Sequence, residues 1–328
     1  MPARLIINAD DFGLTSGINR AIAELHAAGA VTSATLMAAA PAFAHAVHLA
    51  GQFPTLGIGC HIVLTDGTPI LPPDEIPSLL GPDRQSFRPV FNDFLRATLL
   101  GRLRPDEIRR EAIAQIQTVQ SAGISVTHLD THKHTHILPQ ISRALLDAAE
   151  ATGVRAIRNP FESRWSLRLG YTRGSRATAV AVTRLFQTRF LRLPPIRTGR
   201  VLTTNGTIGI SATGQLEEPL LRQLLAALPD GTWEFVCHPG YNDPDLDCIT
   251  TRLRQTREIE RRALLAVFSE GTGQRAGDLA TQHLGDHTNG RHFGNAATLP
   301  LQPALGESPH ISAHPSRPEL IHYGSLIA

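Results

Sequence analysis

Several things are scarce in this sequence, and each scarcity removes a class of protein. Three cysteines in 328 residues (Cys60, Cys237 and Cys248) form no CxxC pair. They cannot build a disulfide framework, and a reducing compartment is the simplest reading. No run approaches the roughly 20 apolar residues of a membrane span. Leu5-Ile6-Ile7, near the start, is too short for a signal-peptide core. The expectation is a soluble cytoplasmic protein. Lysine is nearly absent: 30 of the 31 basic residues are Arg, and Lys133 stands alone. Coding bias in a GC-rich genome explains that without invoking function. Net charge is only +2, which argues against a dedicated nucleic-acid binder. No GxxxxGK phosphate cradle occurs.

What is present supports a packed core, with 42% hydrophobic and 18% charged residues. The length allows two domains or one large barrel. Short apolar runs alternate with segments of helical period. Strands are expected at Leu5–Asn8, Val31–Met37, Leu56–Leu64, Ile124–Leu129, Val154–Ile157 and Trp233–Cys237. Helices are expected at Gly17–Ala28, Ala42–Ala50, from Pro105 to Gly123, at Ile141–Ala151, from about Gln215 to Leu228, and at Thr250–Phe268. This alternation predicts an α/β fold of parallel strands and crossover helices. With seven or eight such units, a (β/α) barrel and a doubly wound sheet are the open choices. Residues 271–318 are aperiodic and rich in Gly, Thr, His, Asn, Ser and Pro. They read as a low-complexity, disordered insertion between a domain at 1–270 and a short end at 319–328. Its five histidines lack metal-ligand spacing and read as part of a solvated linker.

The chemically informative residues fall just past expected strand ends, where barrels build their active sites. Asp10 and Asp11 follow the first strand, His61 lies late in the third, and His238 follows the Trp233 strand. Asp130, His132, His134 and His136 follow the Ile124 strand. A single Asp in such a place is commonly a helix cap, and a lone His on an apolar strand is commonly a satisfied core residue. Two adjacent carboxylates, however, repel unless a cation or donor lies between them. In an extended segment, period-two spacing places His128, His132, His134 and His136 on one side with Asp130 among them. Converging imidazoles favour a bound cation or catalytic duty. Two histidines and one carboxylate leave open positions on a divalent metal for an activated water. A second carboxylate can take that water's proton, and a further His can protonate a leaving group. This inventory suits hydrolysis of an amide or ester.

Asn8-Ala-Asp-Asp-Phe-Gly13, Gly59-Cys-His-Ile-Val-Leu-Thr65, His128-Leu-Asp-Thr-His-Lys-His-Thr-His136 and His238-Pro-Gly240 resemble, in order and spacing, the motifs of the YdjC-like carbohydrate deacetylases. The resemblance spans about residues 4–268, and Glu319–Gly324 is similar to that domain's closing strand. It implies a TIM-barrel-like (β/α) fold and removal of N-acetyl groups from amino sugars such as chitooligosaccharides. It also implies one divalent metal ion, Mg2+ or Zn2+. By matching position, Asp11, His61 and His132 resemble the metal ligands and Asp10 the general base. His238 resembles the acid or oxyanion partner, while Asp130, His134 and His136 would orient ligands or contact sugar. Thr203–Gly214 followed by Gly231–Gly240 is most similar to the hopanoid-biosynthesis-associated branch, which acts on an N-acetylglucosaminyl hopanoid.

Two other readings compete. A metal-dependent phosphoesterase of barrel type needs two or three metals and more bridging carboxylates than the motifs supply. A non-catalytic carbohydrate-binding relative would have no need of the Asp10–Asp11 pair. The segment Arg164–Arg200 holds nine Arg and no acidic residue, with Trp165, Leu167, Leu185, Phe186, Phe190 and Leu191 interleaved. It reads either as a surface helix with a basic face or as an interfacial flap meeting anionic lipid at the inner face of the membrane. A homodimer is compatible with the sequence; a nucleic-acid partner is not expected.

Overall fold

Ten consecutive residues, Ala3–Phe12, form the central strand β1, and all but the first two are buried. Such burial on both faces is why the sequence shows an apolar run rather than alternation. The computed structural model describes residues 2–169, 180, 182–249, 251–281 and 318–327, of which 269–281 by backbone only. After β1 come α1 (Ser16–Ala27), β2 (Ser33–Leu36), α2 (Phe43–Gln52), β3 (Gly57–Ile62) and α3 (Phe91–Leu99). Next are α4 (Pro105–Ser121), β4 (Leu129–Thr131), α5 (Pro139–Thr152), β5 (Gly206–Ile208) and α6 (Glu218–Ala226). β6 (Gly231–Cys237), α7 (Thr256–Thr281) and β7 (Glu319–Leu320) complete the order among the described residues, which hold only short helical turns besides.

The seven strands form one sheet in the order β4-β3-β2-β1-β6-β5, with β7 added beside β1. Every pairing is parallel. Isolated parallel bridges, Leu129 to Ile157 and Glu162 to Thr207, link both outer strands to the segment 156–162. This is a TIM-barrel-like parallel sheet with helices as crossovers. Chain contacts define two units, 1–269 with 318–328, and 270–317. The site lies within the first.

Local chemistry accounts for the elements that carry the site. Thr15 caps α1, its hydroxyl accepting from the Ile18 amide at 3.1 Å. Pro105 opens α4, whose stripe of Ile108, Ala112, Ile116 and Val119 is fully buried. Its neighbouring face is polar yet also buried. Glu107 accepts from Ser78 N, Glu111 from Ile70 N and Leu71 N, and Gln115 brackets the Val63 backbone. Those bonds fasten the loop that leaves β3 at the site.

Several boundaries differ from the sequence reading. The strand expected at Ile124–Leu129 is found at Leu129–Thr131, and Val154–Ile157 contributes single bridges rather than a continuous strand. α3 and β5 were not anticipated. α7 runs through Thr281, so 271–281 are helical where an aperiodic insertion was expected. The rest of that stretch, 282–317, lies outside the described residues.

Period two along β1 divides its side chains. Leu5, Ile7 and Ala9 pack in the main core. Ile6 joins a small separate cluster with Ala156, Ile321 and Tyr323. Asn8 and Asp10 continue the Ile6 face, so one side of the strand rises from an apolar floor to a carboxylate.

Candidate active site

Strand register assembles the site. Ala9 of β1 lies opposite Cys237 of β6, which sets the next residue, His238, beside Asp10. His61 of β3 lies opposite Asp130 of β4. Strict alternation would send Asp11 to the other face. Instead Asp11 takes a left-handed φ of 65°, and the β1–β2 register shifts between Ala9 and Phe12. This bulge turns Asp11 back beside Asp10.

Asp11 Oδ1 stands 3.5 Å from His61 Nε2 and 3.4 Å from His132 Nδ1. Both separations exceed a good N–H···O bond. They match the ~3.3 Å expected between two donors bound tetrahedrally at 2.0–2.1 Å to one ion. His61 Nδ1 meets Asp130 Oδ1 at 2.8 Å, the contact that orients a metal-ligating imidazole. Thr35 donates to the other Asp130 oxygen at 3.1 Å. Burial works against a charged His61, but Asp130, with Asp10 and Asp11, outweighs it and raises the imidazole to about 9. The pocket favours positive charge, and Asp11, His61 and His132 fit one divalent cation.

A second convergence of donors, Asp10, His61 and Asp130, already contains a cation. Arg158, fully buried, places Nη1 2.9 Å from Asp10 Oδ2 and 2.6 Å from Asp130 Oδ2. Its Nη2 meets Asp10 Oδ1 at 2.6 Å and its Nε meets Glu234 Oε1 at 2.7 Å. Asn8 adds a donor to Asp10 at 3.0 Å. Burial alone would raise the Asp10 carboxyl; Arg158 overrides it and holds the group far below the usual carboxylate range. Burial likewise opposes charge on Asp11, but Arg257, 2.5 Å from Oδ2, and His132 keep it low.

His238 is nearly buried, with Nε2 3.8 Å from Asp10 Oδ2. The expected row of histidines does not form. Past Thr131 the chain enters a 3-10 segment, His132–Ile137, in which Lys133 and His134 are both left-handed, with φ 55° and 51°. His128 points elsewhere, stacked on Tyr323 at 3.7 Å between ring centroids and 3.1 Å from Asn8 Oδ1. His136 lies inside the turn, its Nδ1 2.6 Å from Thr131 Oγ1. Burial, then Arg158, depresses His134 to about 3, while burial and His134 push His136 well down. Both are neutral imidazoles near pH 7. His134 Nδ1, His136 Nε2 and His238 Nδ1 have no partner among the described residues.

The sequence reading missed Arg158, Arg257, Thr35 and Glu234. Arg158 follows the expected strand Val154–Ile157, the same strand-end position that marked the other site residues. Glu234, an acid within Trp-Glu-Phe-Val-Cys, was visible as a charge in a buried strand. Nothing local marks Arg257, which reaches the site from α7.

The profile of the YdjC-like protein family matches residues 4–276. The chain belongs to the YdjC-like family. It is 44% identical over 147 residues to a carbohydrate deacetylase of Brevibacillus brevis, covering 45% of this chain and 56% of that one. A carbohydrate deacetylase of Geobacillus stearothermophilus is 41% identical over 150 residues, covering 46% and 57%. The match thus spans about half the length of these curated relatives. Among solved structures, an Enterococcus faecalis V583 protein named for cellobiose-phosphate cleavage aligns with a TM-score of 0.63 at 25% identity. That alignment covers 84% of this YdjC-like chain and 96% of the other.

Proposed function

We propose that this protein is a metal-dependent hydrolase that removes an N-acetyl group from an amino sugar. One observation carries the reading: donors of Asp11, His61 and His132 converge beside a carboxylate, Asp10, that Arg158 keeps ionised. The carbohydrate deacetylase relatives support it. Asp11, His61 and His132 hold one divalent ion, Mg2+ or Zn2+, and their N/O donor set suits zinc. When bound, such an ion supplies Lewis-acid polarisation of the amide carbonyl and acidifies water.

The remaining chemistry belongs to side chains. Asp10, aimed by Arg158 and Asn8, accepts the proton of the attacking water at a carboxylate oxygen. His238, facing the same reacting centre, gives a proton from Nε2 to the departing amine or holds the developing oxyanion. Asp130 fixes the His61 ring, and the neutral His134 and His136 meet sugar hydroxyls or steady the turn that carries His132. Replacing His132 with Ala abolishes both metal content and acetate release; full activity in that variant would end the assignment. A phosphoesterase reading fares worse because Arg158 fills the place a second metal would take. Metal content near one per chain, with no phosphate released from model esters, separates the two.

The substrate is a chitooligosaccharide or an N-acetylglucosaminyl glycolipid of hopanoid type. In the Arg164–Arg200 segment, Val182, Leu185 and Leu191 are exposed beside Arg189 and Arg192, as an interfacial flap requires. Arg173 and Arg176 lie outside the described residues. Among those described, no helix is long and apolar enough to cross a membrane. Liposomes containing anionic lipid should sediment the protein, and failure to do so removes the flap reading.

A further inference from the structure

The short C-terminal segment 318–327 lies beneath the site rather than apart from it. β7 pairs with β1 at Arg4 and Leu5. From there the chain carries Tyr323 inward, where it is completely buried. Its backbone N–H reaches Ser33 Oγ at 3.2 Å, and its ring stacks on His128. Its hydroxyl donates to Glu234 Oε2. From Glu234 an unbroken buried chain leads upward: Arg158 Nε, then Asp10 through both guanidinium Nη atoms, and Asp130 with His61 beyond it.

We propose that Tyr323 is a positioning residue, whose hydroxyl fixes Glu234 and, through Arg158, sets the Asp10 and Asp130 carboxylates. The physics is one of competition for a single guanidinium. Arg158 can satisfy three carboxylates only while its fork is held in one orientation, because its donors are coplanar and diverge at fixed angles. Glu234 is the anchor on Nε. A carboxylate left without a donor on its second oxygen in this dry surrounding would turn or take up a proton. Tyr323 supplies that donor and favours the charged form of Glu234. The hydroxyl thus reaches the upper carboxylates without touching substrate.

The assignment concerns how the machinery is held and rests on the proposed hydrolase only for its kinetic arm. Tyr323→Phe keeps the ring stack and deletes one hydroxyl. Zn2+ affinity of the full chain, measured by competition with a chromogenic chelator, should weaken about 3–10-fold, less than the 10–100-fold typical of a ligand's direct partner. For acetate release from a chitooligosaccharide, kcat should fall by a similar factor while KM changes less than about 2-fold, since no substrate contact is lost. The decisive comparison is a double-mutant cycle: in a Glu234→Gln background, adding Tyr323→Phe should change Zn2+ affinity by less than about 2-fold, because the path is already cut. An undiminished Tyr323→Phe effect in that background would overturn the proposal, as would unchanged affinity in the single variant. If Tyr323→Phe fails to fold, Glu234→Gln alone must weaken Zn2+ binding, and full affinity there contradicts the proposal equally. Should no N-acetylated sugar be hydrolysed, the proposed function fails while the Zn2+ cycle still judges Tyr323.

Discussion

A single guanidinium facing three carboxylates, with water excluded, governs the electrostatics of this site. Arg158 meets Asp10, Asp130 and Glu234 at 2.6–2.9 Å, and all four side chains are almost wholly buried. Removing one partner of such a cluster leaves uncompensated charge, at a cost of about 3–5 kcal/mol. Lysine cannot substitute, because its point charge lacks the planar fork. Arg158→Lys should therefore lose stability on that scale in urea unfolding, together with most activity; a near-native midpoint would contradict the argument. Glu234 offers a finer test. Burial raises it and Arg158 and Tyr323 pull it back, leaving it at about 7 against an ordinary 4.5. Between pH 4.5 and about 7 the folded chain retains a proton that the unfolded chain has released. This contribution therefore makes stability fall as pH rises through that window. Glu234→Gln removes it. Unfolding free energies at pH 4, 5.5 and 7 should show the variant gaining on the wild type as pH rises, whereas a constant difference would refute the shift.

At the scale of elements, the sequence was most legible where burial and hydrogen bonding follow the same period. The stripe on α4 and the run in β1 could be read directly. The site motifs could be located because their residues follow apolar runs, but their geometry could not. The histidine row was expected to continue as extended chain, yet left-handed backbone at Lys133 and His134 folds it into a turn. Lys133 pairs with Asp66 at 2.7 Å, a contact 67 positions away that no local pattern reveals. Asp11 reaches the site through a bulge, and period two alone would exclude it. β4 was misplaced because apolar residues mark burial, while the ladder to β3 is formed by Leu-Asp-Thr. β5, three residues beginning with Gly, carries no apolar run. Gly59 tests the packing beneath the site: a Cβ there would stand 2.5 Å from the His128 ring. Gly59→Ala should cost about 1–3 kcal/mol through overpacking, seen as a lowered thermal midpoint, and an unchanged midpoint would place His128 elsewhere.

Across the whole molecule, the net charge of +2 conceals two unlike parts. The segment Arg164–Arg200 carries +9, leaving −7 for the remainder. The buried acids described above lie in that acidic remainder, which is where the proposed divalent cation would be held. Binding a cation to the folded state alone stabilises it by about 2.7 kcal/mol at a hundredfold excess over the dissociation constant. Chelation should accordingly lower the melting temperature, and one equivalent of Zn2+ should restore it. The most direct test combines metal and chemistry: acetate release from a chitooligosaccharide by wild-type and His132→Ala protein, each stripped with chelator and then given one equivalent of Zn2+ or Mg2+. Stripped wild type should be inert and recover with metal, and His132→Ala should remain inert throughout. Full acetate release by stripped wild type, or by His132→Ala, would contradict hydrolysis at Asp11, His61 and His132.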